Sequence, residues 1–182
     1  MKLVFSTKNV ARASFLDLCR FADEYGFAGF EIYDAMRERT QHADSILRRD
    51  RAADAGRKLL NRGLSLSALR YPHSLETAEA DADTLRKYVD MAAAAGVEYV
   101  IVRAEAEIPF ETLHDKMADA VSRAESTGVE ILFESVGYLS ETERILDLIN
   151  RFSSAAIGAS WNVRGTYFGA GESTETTIKT LG

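Results

Sequence analysis

Four glycines set the frame of this chain. Gly26, Gly63, Gly96 and Gly128 each close a stretch with helical apolar spacing, and an apolar run follows each one: FAGFEI, LSLSAL, VEYVIV and VEILFE. The intervals between them are 37, 33 and 32 residues. Glycine ends a helix in the left-handed conformation without a Cβ penalty. A helix, a turn and a strand recurring in this way is how parallel strands are joined, because a parallel pair needs a long crossover connection.

Read through, the pattern predicts strands near 3–6, 28–32, 64–69, 99–103, 130–135 and 156–161. Helices are expected over 14–25, 45–61, 75–95, 109–126 and 140–151, with a last one from Ser173. Pro72 is expected to stop the third strand. Ser140 with Glu143 three residues on reads as a capping box. The second helix is expected to face inward through Ile46, Ala53, Leu59 and Leu60. Its other face carries Arg48, Arg49, Arg51, Arg57, Lys58 and Arg62, a solvated outer surface.

Six βα units of this size belong to a (β/α)8 barrel of roughly 250 residues. The expected fold class is therefore α/β, TIM-barrel-like, with about six units of such a barrel in one domain over residues 1–182. An open doubly wound sheet is the alternative, but FSTKNVARAS after the first strand lacks its glycine fingerprint. GAGES at 169–173 lacks the lysine and the spacing of a phosphate loop and reads as a loop. Six strands of a barrel would leave the first and last with unpaired edges, and apolar positions such as Val4, Val100, Ile131 and Ile157 wet.

Composition narrows the function. A formal charge of −6 over 182 residues argues against nucleic acid as a partner. Cys19 is the single cysteine, so no disulfide closes within the chain, and Phe15, Leu18 and Ala22 on its helical face make it a core thiol. LVF after Lys2 is too short for a signal-peptide core, and MAAAAG at 91–96 is too short to span a membrane. A cytoplasmic protein with no membrane partner is the expectation.

In both candidate folds the chemistry sits at the carboxyl ends of the strands. The polar residues there are Lys8 and Asn9; Glu31, Tyr33 and Asp34; Arg70, Tyr71 and His73; Arg103, Glu105 and Glu107; Glu134 and Tyr138; and Trp161, Asn162 and Arg164. Glu31 and Glu134 are embedded in apolar strand sequence, where a carboxylate must be paired, hydrogen-bonded or metal-bound. The residues leave two readings open, a chemical role and a bond to neighbouring arginine. His42, His73 and His114 are scattered, and no cysteine or histidine spacing reads as structural zinc.

MKLVFST at the start, GFAGFEI at 26–32, GVEYVIV at 96–102 and above all EILFESVGYLSETERILDLI at 130–149 resemble the xylose isomerase-like barrel family. That family holds sugar isomerases and epimerases, with endonuclease IV a distant member. The resemblance implies proton abstraction beside a carbonyl on a small sugar or sugar-like substrate, with Glu134 as catalytic base. Glu31, Arg70, His73, Arg103, Trp161, Asn162 and Arg164 are the expected substrate-binding residues. It also implies one divalent metal (Mn, Mg, Co or Zn), with Glu134 a weak ligand.

The sequence departs from the family pattern near that metal. Glu134-Ser135-Val136 stands where the family often has Glu-Asn-His, and Asn162-Val163-Arg164-Gly165 where it has Asp-x-x-His. The family's ligands after strands seven and eight fall beyond the sequence. Tight metal binding is therefore not expected of these residues. The alternatives are a non-catalytic module that binds an anionic sugar through arginines, and a partial barrel completed by a partner chain. A homo-oligomer or a longer natural polypeptide is expected on that ground.

Overall fold

The computed structural model describes residues 2–10, 13–36 and 51–182. Six strands run parallel in one sheet in chain order: β1 (Val4–Ser6), β2 (Gly29–Tyr33), β3 (Ser65–Ser74), β4 (Tyr99–Arg103), β5 (Glu130–Glu134) and β6 (Ile157–Ser160). The helices alternate with them: α1 (Phe15–Tyr25), α2 (Ala52–Leu60), α3 (Ala82–Ala95), α4 (Phe110–Thr127), α5 (Thr142–Phe152) and α6 (Thr174–Leu181). This is the TIM-barrel-like order that the glycine repeat predicts. All four repeat glycines sit at positive φ, between 68° and 72°.

The chain forms two compact units, Met1–Pro72 with Tyr88–Val100, and His73–Lys87 with Ile101–Gly182. In the first, β1 pairs with β2 from Val4↔Gly29 to Ser6↔Glu31, and β2 with β3 as far as Tyr33↔Arg70. Phe5 of β1 packs its ring within 4.9–5.4 Å of Phe21, Phe27 and Phe30. Ser14 and Asp17 form a full capping box at the start of α1. Cys19 is buried on that helix, and burial pushes its thiol pKa up, which leaves it an inert core group. Tyr88 is fully buried against Tyr71, and burial likewise drives its phenol pKa upward.

In the second unit, β5 pairs with β6 from Ile131↔Ile157 to Glu134↔Ser160. Leu113, Met117, Ala120 and Ala124 of α4 and Ile145 of α5 are buried, as are Ile131 and Phe133 of β5. Phe133 reaches the ring of Phe152 on α5. The apolar stripes of these helices are the 3.6-residue periodicity expected of elements laid on a sheet.

Several expectations need correction. β3 does not stop at Pro72 but runs to Ser74. Its last pair with β2 is at Arg70, so no β2 partner needs the N–H that proline lacks. α3 starts at Ala82 rather than 75, because Asp81 accepts the Thr84 N–H at 2.9 Å. Ser140 does not cap α5; it ends a 3-10 turn (Gly137–Ser140), and the helix begins at Thr142. α2 buries Ala52, Ala55 and Leu59, while Ala53 is exposed and Leu60 is 75% exposed. Ile46, Arg48, Arg49 and His42 lie outside the described residues. Residues 165–170 wind as a π-helical turn, so of GAGES at 169–173 only 171–173 form the expected loop. Val100, Ile131 and Ile157 are buried; of the four positions expected to be wet, only Val4 is exposed.

Candidate functional site

Glu134 is the last residue of β5 and 8% exposed. Strand alternation puts Ile131 and Phe133 on one face and Leu132 and Glu134 on the other. A buried carboxylate is costly unless hydrogen-bonded, and β6 supplies a partner across the ladder. Asn162, two residues past the end of β6, donates from Nδ2 to Glu134 Oε1 at 3.0 Å.

The orientation of that amide follows from its surroundings. Asn162 Oδ1 accepts the Gly165 N–H at 3.0 Å, so the oxygen must face the backbone donor and the nitrogen the carboxylate. The Asn162 N–H donates to Ser135 Oγ at 2.7 Å. Ser135 is fully buried, and its own N–H donates to Ser160 O at 3.0 Å. Gly165 packs against the same residue: a Cβ there would lie 1.9 Å from Ser135 O. Ser135 and Gly165 thus belong to the site by holding Asn162. In the sequence they look like losses from a metal motif rather than parts of a different arrangement.

This geometry does not suit a divalent cation. Such an ion needs several oxygen or nitrogen lone pairs. Asn162 turns hydrogens, not oxygen, toward Glu134, and its oxygen is already engaged. Position 165, where the resemblance implies histidine, has no room for a side chain on this backbone. Among the described residues no group of three His, Cys, Asp or Glu side chains is placed to hold a metal.

The same unit carries most of the other expected site residues. Trp161 is 40% exposed, and its Nε1–H donates to Thr166 Oγ1 at 3.0 Å, which fixes the indole on the turn after β6. Arg103 at the end of β4 lies 3.4 Å from Glu105. His73 is half-buried on β3, and Arg164 is exposed. A carboxylate that sequence reasoning passed over, Glu76, accepts from Ser74 Oγ at 2.6 Å and from the Glu105 N–H at 3.2 Å. Burial pushes its pKa up, but the bonds from Ser74 and from the backbone of Glu76, Glu105 and Ala106 outweigh that and hold it below the usual value. Its signal in the sequence is only Ser-x-Glu after a strand.

In the first unit, Glu31 and Arg70 meet on adjacent strands. Arg70 donates from Nε to Glu31 Oε1 at 3.0 Å and from a terminal nitrogen to Oε2 at 3.3 Å. With side chains 13% and 16% exposed, this is a two-pronged, largely buried ion pair. It follows the reading of Glu31 as a carboxylate bonded to a neighbouring arginine.

No protein-family model matches the chain, and no curated protein sequence does. Solved structures do. The xylose isomerase domain protein from Planctomyces limnophilus superposes with a TM-score of 0.75 at 12% identity, over 98% of this chain and 68% of that one. The fold is the xylose isomerase-like barrel fold. The 3-keto-D-glucoside 4-epimerase from E. coli, in its apo form, matches with a TM-score of 0.75 at 13% identity, over 100% of this chain and 75% of that one. The IolI protein, solved with a zinc atom bound, matches with a TM-score of 0.72 at 17% identity, over 98% and 68%. At these identities the likeness is one of fold. The structurally similar proteins include sugar isomerases and epimerases.

Proposed function

We propose that residues 1–182 act as one sugar isomerase/epimerase-like domain in which Glu134 takes a proton from the carbon beside a carbonyl of a small sugar or sugar-like substrate. The observation that carries this reading is the buried Glu134 carboxylate at a strand's carboxyl end, held by an amide whose own position is fixed at three atoms. A base set in place before substrate arrives loses no rate to reorganisation.

The step balances simply. The substrate C–H bond breaks, its proton goes to a Glu134 oxygen, and the electron pair moves onto the carbonyl oxygen as an enediolate. Returning that proton to the former carbonyl carbon, while the hydroxyl proton passes from the neighbouring hydroxyl oxygen to the former carbonyl oxygen, completes an isomerisation with one base. An epimerisation needs a second acid on the opposite face. Asn162 keeps the carboxylate aimed. His73, Arg103, Trp161 and Arg164, all in the unit that holds Glu134, are the substrate-binding residues of this reading. No step runs through a metal.

The rival reading is a module that binds an anionic sugar without chemistry. It is favoured by one observation: Arg164, two residues past Asn162, is exposed and offers a guanidinium to an anionic group.

Deuterium exchange from D2O into a panel of aldoses and ketoses, followed by proton NMR, separates the two. The expected result is exchange at the carbon beside the carbonyl in at least one sugar. Glu134→Gln should lower it ~100-fold or more, the scale of a lost general base, with the thermal midpoint nearly unchanged. Saturable sugar binding without exchange would establish the module instead.

A further inference from the structure

The second unit holds a cleft that the proposed chemistry does not use. It is about 360 Å³ in volume and lies between α4 and α5. Phe133 lines it, so it is on the opposite face of β5 from Glu134. Its floor is apolar: Leu113, Leu139 and Phe133 are fully buried beneath it, and Leu148 nearly so. A cleft of this size suits a small molecule.

The rim is charged, and the balance is uneven. Glu107, Glu141, Glu143 and Asp147 face two arginines, Arg144 and Arg151. Each arginine is already engaged with a ring and a carboxylate, and Arg144 donates to Tyr138 O as well. Arg144 lies 4.4 Å from the Tyr138 ring centroid and bonds Glu141 at 2.6 Å. Arg151 lies 3.8 Å from the Phe110 ring centroid, with Asp147 at 3.7 Å. Among the described residues, Glu107 and Glu143 have no such partner. The rim thus keeps two uncompensated carboxylates, and its two aromatic faces are already serving cations, the protein's own.

We infer that this cleft takes a small organic ammonium ion with an aryl or alkyl arm, its charge between Glu107 and Glu143 and its arm on the apolar floor. The arm gains from removal of its surface from water. The head gains from carboxylates and, where a ring face is open, from the ring quadrupole. On this inference Arg151 competes with the ligand, because it occupies the Phe110 face and carries the same charge. An anion site makes the opposite prediction for that residue.

Phenethylammonium is the probe and 3-phenylpropionate, of similar shape and opposite charge, the control. Both are titrated into the 182-residue chain and followed by backbone amide NMR. Saturable phenethylammonium shifts are expected around Phe110 and Leu148, with phenylpropionate at least ~10-fold weaker, a difference of about 1.4 kcal/mol. Glu107→Gln with Glu143→Gln should weaken the ammonium about 5–10-fold. Arg151→Gln should strengthen it. Thermal midpoints confirm that these exposed substitutions leave the fold intact. The inference is overturned if phenylpropionate binds as well or better, if Arg151→Gln weakens the ammonium, or if no saturation occurs by ~10 mM, beyond the millimolar range of weak association.

Discussion

Glu31 in the middle of β2 and Glu134 at the end of β5 are both carboxylates in apolar strands, and they are made tolerable in different ways. Glu31 has a guanidinium across two bonds. Glu134 has an amide, which neutralises no charge but fixes direction. The amide is only as good as its support, and Gly165 is the tightest part of it. A methyl group there meets Ser135 O at 1.9 Å, a backbone atom that cannot swing away. Gly165→Ala should therefore cost about 1–3 kcal/mol through overpacking. It should also move the side-chain amide resonance of Asn162, because the Gly165 N–H that holds Oδ1 must shift. A variant with unchanged stability and an unchanged Asn162 resonance would show that the contact is not tight.

At the scale of elements, α5 and α6 are joined by one residue. Glu172 accepts from the Thr142 N–H and from Thr142 Oγ1, both at 2.8 Å, and from Thr177 Oγ1 at 3.1 Å. Thr142 and Thr177 are buried, and Thr142 opens α5, where backbone donors have no helical partner. Glu172→Ala leaves these groups unsatisfied. It should cost about 1–3 kcal/mol, and amides at the start of α5 should exchange faster with solvent. An unchanged thermal midpoint would mean that water replaces the carboxylate without loss.

This cap also marks the limit of what the sequence conveys. The helix ends at Gly26, Gly63, Gly96 and Gly128 are legible because a positive φ is a local demand, answered by the residue itself. The start of α5 is not, because its cap comes from 30 residues further along the chain. The end of β3 misleads for the same reason, since Pro72 is harmless only where β2 has already stopped. The site divides likewise. Glu134 stands out as a carboxylate in an apolar strand, but the direction of the Asn162 amide depends on Gly165 and Ser135 meeting in space.

At the scale of the whole molecule, β1 and β6 are the terminal strands of the sheet order. A terminal strand presents a row of backbone donors and acceptors that template pairing with another chain. The apolar surface beside them is not on the strand interiors, since Ile131 and Ile157 are buried. It is concentrated just past β6. Val163 is 54% exposed, Tyr167 55% and Phe168 78%, and the last two rings touch at 5.0 Å. Near β1, Leu3 is 61% exposed. Large aromatics cover about 150–250 Å² each when buried, so the turn after β6 alone offers a contact area of a few hundred Å², short of a full stable interface and enough for a weak one. The 182-residue chain should therefore self-associate, with a mass by light scattering that rises above 20.1 kDa as concentration increases. Phe168→Asp should return it toward the monomer without lowering the thermal midpoint, because that ring is mostly in water to begin with. A monodisperse species of 20.1 kDa at every concentration, unfolding in one cooperative step, would falsify the association and leave the exposed rings as ordinary surface.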